Sequence, residues 1–221
     1  MKKSVYSLVL SDDVVRAIDQ LAYENNTSRS NLINQILAER VSLATPEMQM
    51  RNIFDSMEKL MDETFQILNQ SSDSMVSIRS PLRYKYKPTL RYSLELYRSA
   101  GPATGRLKIS FRTQNRQLID TLNDFFAIWI ALESHYLARY FPDGIEYLRE
   151  DGRLTRELYH PVNLPACSGE DVGEAIASYI KMLDGCIKEY FANLALPAST
   201  LAERIENRYR TCLADPNFIV I

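Results

Sequence analysis

Cysteine is scarce in this sequence. Cys167, Cys186 and Cys212 are too few and too scattered for a disulfide framework, and no Cys-x-x-Cys spacing suggests a metal site, so a reducing cytoplasm is the expected location. Seven glycines spread along the chain support no phosphate-binding loop, and no Gly-x-Ser-x-Gly or His-Glu-x-x-His motif occurs. Long apolar runs are missing too: the longest, Phe125–Leu132, is far below the roughly 20 residues a membrane span requires. Met1-Lys2-Lys3 followed by Val5–Leu10 has the outline of an export signal, but the apolar run is very short and Asp12 and Asp13 close it. A soluble protein with no membrane partner is expected. Charge of one sign is also absent overall: 26 Lys and Arg against 28 Asp and Glu leave −2, which by itself argues against a generic polyanion binder.

What is present is an ordinary globular composition, 46% hydrophobic and 24% charged, in 221 residues, enough for two domains. Val5–Leu10 is short, apolar and β-prone, and Ser11-Asp12-Asp13 after it signals a helix start. Val14, Val15, Ile18, Leu21 and Ala22 then recur at helical spacing until Asn25-Asn26. Thr27 or Ser28 can cap a second helix carrying Leu32, Ile33, Ile36, Leu37 and Val41. A unit of about forty residues without metal or disulfide cannot bury enough apolar surface alone. Its lone strand would find a partner most simply in a second copy, which predicts an intertwined homodimer with an antiparallel two-stranded ribbon.

This order, with Ser4-Val5-Tyr6-Ser7-Leu8-Val9-Leu10-Ser11-Asp12-Asp13-Val14-Val15, the helix through Leu21-Ala22, and Thr27-Ser28-Arg29-Ser30-Asn31-Leu32-Ile33, resembles the ribbon-helix-helix family of DNA-binding proteins, the MetJ and Arc type. The resemblance covers residues 3–43 and implies a ribbon in the major groove of double-stranded DNA, with the start of the second helix on a phosphate. Leu10 leads into the packed helix, so Tyr6, Leu8 and Leu10 should face the core and Val5, Ser7 and Val9 the bases. That departs from the family, where polar or basic side chains usually occupy those outward positions. Valines can meet thymine methyls and Ser7 can bond either base type, but none forms a bidentate pair. Lys2, Lys3, Thr27, Ser28, Arg29 and Ser30 complete the expected DNA-contact set.

Residues 44–74 read as a connecting helix and loop. Thr45-Pro46-Glu47 marks the helix start, and Met50, Ile53, Phe54, Met57, Leu60, Met61 and Leu68 recur at helical spacing. Residues 75–221 read as a larger α+β domain in a mostly helical chain: a β-hairpin from Tyr92–Tyr97 and Leu107–Arg112, an extra strand near Arg83–Lys87, and several helices beyond Asn115. These include a buried helix through Phe125 and Trp129, one over Glu170–Leu194, and one capped by Ser199; Phe218–Ile221 is expected in the sheet or a subunit interface. Residues 77–116 carry ten basic side chains against one acid, +9, while the rest carries −11. Arg83, Lys85, Lys87 and Arg91, interleaved with Tyr84, Tyr86, Tyr92 and Tyr97, are therefore candidates for a second surface for DNA or an anionic ligand. The competing reading is a solvated sheet face balanced by acidic helices.

Catalytic signals are weak. His135 in an apolar helix reads as a satisfied structural histidine, His160 before Pro161 as a surface or interface residue, and His160 with Cys167 lacks an activating context. No catalytic residue, metal or cofactor is assigned, because two separated histidines are too few for the clustered ligands of metal-responsive regulators. The expectation is a cytoplasmic, homodimeric transcriptional regulator, a repressor that occupies operator DNA and assembles on it as dimers or higher oligomers. Its C-terminal domain would serve as sensor, assembly or recruitment module for a small-molecule or protein effector. Plasmid or mobile-element partition or conjugation, and a structural protein that uses the N-terminal unit only to dimerise, remain alternatives.

Overall fold

The computed structural model describes residues 5–25, 27–41, 43, 45–68, 74–85, 87–98, 101–162 and 168–221. Residues 5–10 pair with no described strand of their own chain. Helix α1 (Asp12–Glu24) opens with Asp12 and Asp13 at the positive end of its dipole and stops at Asn25. Helix α2 (Arg29–Arg40) is capped by Ser28, whose hydroxyl accepts from the Asn31 amide at 3.3 Å. The two helices pack together yet bury only Ala22, Leu32 and Ala38, leaving Val14, Leu21, Ile36, Leu37 and Val41 exposed.

Helix α3 (Pro46–Leu60) starts where Thr45 and Pro46 placed it, with the Thr45 hydroxyl accepting from Met48 at 3.2 Å. It ends well short of Leu68, because Gln66–Leu68 is an edge strand, β1; of the loop expected at 71–74 only Ser74 is among the described residues. Nor is α3 merely a connector: Met50, Ile53 and Met57 are buried in the main core.

Among the described residues six helices and one six-stranded antiparallel sheet form an α+β fold. The remaining strands are β2 (Met75–Pro81), β3 (Thr89–Leu96), β4 (Ala103–Phe111), β5 (Tyr147–Glu150) and β6 (Arg153–Tyr159), in the order β1-β2-β3-β4-β6-β5. The extra strand lies earlier than Arg83–Lys87, where the chain instead turns. The Leu82 amide donates to the Pro88 carbonyl at 3.0 Å, and Lys87 takes a left-handed φ of 42°. The hairpin β5–β6 interrupts a stretch expected to be mostly helical. Its signal was available: Asp151-Gly152, with Gly152 at φ 67°, is a two-residue turn between alternating segments.

One face of the sheet, through Ile78, Leu90, Tyr92, Leu94, Leu107, Ile109, Leu154 and Leu158, belongs to a core shared with Leu122, Phe125, Phe126 and Trp129 of α4 (Arg116–Tyr136). Helix α5 (Gly169–Ala192), held by a reciprocal Ser168–Asp171 capping box, adds Ile176, Ile180, Leu183 and Ile187. Helix α6 (Ala198–Leu213) starts ahead of Ser199, because the Pro197 carbonyl already accepts the first helical bond, from Leu201. Val220 and Ile221 are buried but lie in no strand, which corrects the sheet placement of the final segment.

Helices α3 and α5 meet at Gly173. A β-carbon there would fall 2.5 Å from the Ile53 carbonyl oxygen and 2.7 Å from Ser56 Cβ, so the two backbones could not keep their separation. Gly173→Ala is expected to cost about 1–3 kcal/mol, read as a lower melting temperature by circular dichroism.

Candidate functional site

Two regions hold the residues singled out from the sequence. At the start of α2, Ser28 spends its hydroxyl on the helix cap while Ser30 remains at the surface. Arg29 is not a free cation. Its Nε donates to Asp19 Oδ1 at 2.6 Å and its Nη2 to Oδ2, a two-pronged ion pair that ties α2 to α1. The Thr27 hydroxyl is shut off from solvent, so in this conformation it cannot meet a phosphate. Val5, Ser7 and Val9 are exposed, whereas Lys2 and Lys3 lie outside the described residues.

The second region is the sheet face turned away from the helices. Strand register sets Arg79 of β2 directly opposite Arg91 of β3, with Ser110 and Arg153 continuing the row across β4 and β6. Cross-strand neighbours of like charge repel, so this arrangement carries an energetic cost. Arg79, Lys87, Arg91 and Arg112, with Thr89 and Thr113, line a cleft of about 260 Å³ that reaches Leu118 in the first turn of α4. None of the four cations forms an ion pair with a described carboxylate. Two other cations of the segment are neutralised, Arg106 by Glu95 at 2.7 Å and Arg116 by Asp120 at 2.9 Å and by Asp151, while Arg83, Lys85, Arg98 and Lys108 form no ion pair with a described carboxylate. No protein-family model, curated protein or solved structure matches this chain.

The cluster only partly overlaps the one expected. Lys87 and Arg91 belong to it, Arg83 lies with Lys87 on a separate, mainly apolar groove beside Leu82 and Tyr84, and Lys85 is exposed on neither. Arg79 and Arg112 were missed as site residues because charge counting cannot tell which face of a strand a side chain occupies. Among the described residues, Tyr84, Tyr92 and Tyr97 do not form a stacking surface. Tyr92 is buried with its hydroxyl on Asp184 at 2.9 Å, Tyr84 packs edge-on against Phe191, and Tyr97 bonds Glu157 at 2.8 Å. Burial and the Glu157 carboxylate push the Tyr97 phenol up to about 12. Tyr86 lies outside the described residues.

A buried polar network was also missed. Arg156 of β6 and Glu133 of α4 are both fully buried and bonded at 3.1 Å. Glu133 also accepts from the Tyr147 and Tyr179 hydroxyls at 2.6 and 3.2 Å, and the Tyr179 oxygen in turn accepts from Trp129 Nε1 at 3.0 Å. Arg156 lies over the Tyr179 ring and donates to the Ile221 main-chain oxygen at 2.6 Å. Burial and then Glu133 raise the Tyr147 phenol far above its ordinary range, which holds it as a proton donor. Alternation along β6 carried the signal, since Arg156 stands between the inward Leu154 and Leu158.

Other reactive side chains are ill placed for chemistry. Burial pushes the Cys186 thiol up to about 12, leaving it protonated at neutral pH. His135 is exposed, edge-on to Tyr136, rather than a satisfied core histidine; His160 is exposed as well, and Cys167 lies outside the described residues. No helix among the described residues is long and apolar enough to cross a membrane.

Proposed function

We propose that this chain is a DNA-binding regulator rather than an enzyme. In this reading two copies form a ribbon-helix-helix unit, with residues 5–10 of each paired as a β-ribbon in the major groove, and the dimer acts by occupying operator DNA. The observation that carries the reading is the uncovered apolar surface of the N-terminal unit. Val5 and Val9 are fully exposed, Tyr6 is 84% and Leu8 61% exposed, and the helices behind them bury three residues. A second copy would cover the inward side chains and satisfy the unpaired backbone of the ribbon in one step. Leu10, 40% exposed against 101% for Val9, lies nearer the helices, which supports the register that turns Val5, Ser7 and Val9 toward the bases.

The Arg29–Asp19 pair favours a second reading, in which the unit only dimerises and the larger domain binds a protein partner. A mobility-shift titration on candidate sites, including the protein's own promoter, separates the two, with oligomeric state followed by light scattering. The expected result is a dimer whose affinity falls steeply with salt. Asp19→Asn, which releases the Arg29 charge, should tighten binding to all sequences alike and steepen the salt dependence by about one unit of slope. A dimer that shifts no DNA at low salt would leave dimerisation as the unit's whole role.

A further inference from the structure

We propose that the cleft formed by Arg79, Lys87, Arg91 and Arg112 binds a small anion presenting one or two phosphoryl groups. Three observations converge on it. Arg79 and Arg91 stand opposite each other in the strand register, both line the cleft, and neither forms an ion pair with a described carboxylate. Such a pair persists at a cost, and an anion in the cleft would remove it. Lys87 holds a left-handed conformation unusual for a side-chain-bearing residue, at the turn that places it on the wall of the cleft. Thr89 and Thr113 line the same walls; the Thr113 oxygen accepts from the Asn115 amide at 3.1 Å, which leaves its hydroxyl proton to donate.

Size and charge narrow the ligand. A volume of about 260 Å³ lies below the range of pockets that enclose drug-sized molecules, so it admits an anionic head while the remainder of a larger ligand stays outside. One phosphoryl group carries roughly −1.5 to −2, so two of them come close to balancing the four cations and one offsets about half of their charge. Single-stranded nucleic acid fits less well. Tracking of that kind combines cations with exposed aromatic rings, and here Tyr84, Tyr92 and Tyr97 are engaged elsewhere. The site stands on the C-terminal fold alone and does not depend on how the N-terminal unit is used.

Calorimetric titration of the full chain with sodium pyrophosphate and with inorganic phosphate, at low ionic strength, tests the proposal. One site per chain is expected. Arg79→Gln, Arg91→Gln and Lys87→Asn should each weaken it about tenfold or more, while Arg98→Gln, exposed and outside the cleft, should leave it unchanged. In the absence of ligand, Arg79→Gln and Arg91→Gln should raise the melting temperature, since each removes one of two like charges at paired strand positions; a purely structural role would lower it and spare binding. Three results overturn the proposal: no binding of either anion, equal losses in Arg98→Gln and the cleft variants, or a duplex oligonucleotide as the only species these arginines bind.

Discussion

Glu133→Ala lowers the unfolding free energy by about 3–5 kcal/mol, the cost of leaving a buried guanidinium without its partner. Arg156 is fully buried, and the carboxylate at 3.1 Å is its charge partner; its other bonds go to the main-chain oxygens of Ile221 and Glu157. Removing the carboxylate also strips the acceptor from the buried Tyr179 hydroxyl and the partly buried Tyr147 hydroxyl. For a chain of this length each kcal/mol moves the melting temperature by roughly 2–4 °C, so thermal unfolding should shift by about 6–20 °C. The paired change Glu133→Leu with Arg156→Met should recover part of that loss, because exchanging a whole buried ion pair for apolar packing is often near neutral, while the Tyr147 and Tyr179 hydroxyls stay without their acceptor. A single variant within about 1 kcal/mol of the parent would mean that water reaches Arg156 and that the network contributes little.

The second large effect concerns the N-terminal unit and rests on its proposed role. Leu8→Asp places a carboxylate on the side of the ribbon that faces the helices, where dimerisation would bury one unpaired charge from each copy. Light scattering should show monomers at concentrations where the parent is dimeric, and DNA affinity should fall by about a hundredfold or more. Val9→Asp, one residue away on the other side, should leave the dimer intact while weakening DNA binding through charge repulsion. The contrast fixes the register, since a slip of one residue exchanges the two faces. If Val9→Asp dissociates the dimer and Leu8→Asp does not, Val5, Ser7 and Val9 face inward and the assignment of base-reading positions is wrong.

Much of the fold was legible because its signals are local. Ser28, Thr45-Pro46 and Asn115 each head a helix with the side chain accepting from the amide three residues on, a contact local in sequence, and Asp12 and Asp13 mark the start of α1 at the positive end of its dipole. Alternation at Tyr92–Leu96 and Leu107–Phe111 marked the central hairpin for the same reason. The candidate site was legible only in part. A run of ten cations announced itself by counting, but Arg79 and Arg112 joined Lys87 and Arg91 through strand register, while Arg83 and Lys85 fell away on the turn.

By itself, then, the sequence determined most of the helices, the central hairpin, the helix starts of the N-terminal unit, and a concentration of positive charge that the overall −2 conceals. Tertiary structure decided which strands pair, that α3 belongs to the core, that Arg156 turns inward to Glu133, and that four cations share one cleft. The division has a physical cause. Capping and periodicity act within one or two turns of chain, whereas pairing β4 with β6 or Glu133 with Arg156 depends on residues distant in sequence, whose approach is fixed only when the whole sheet and its helices pack.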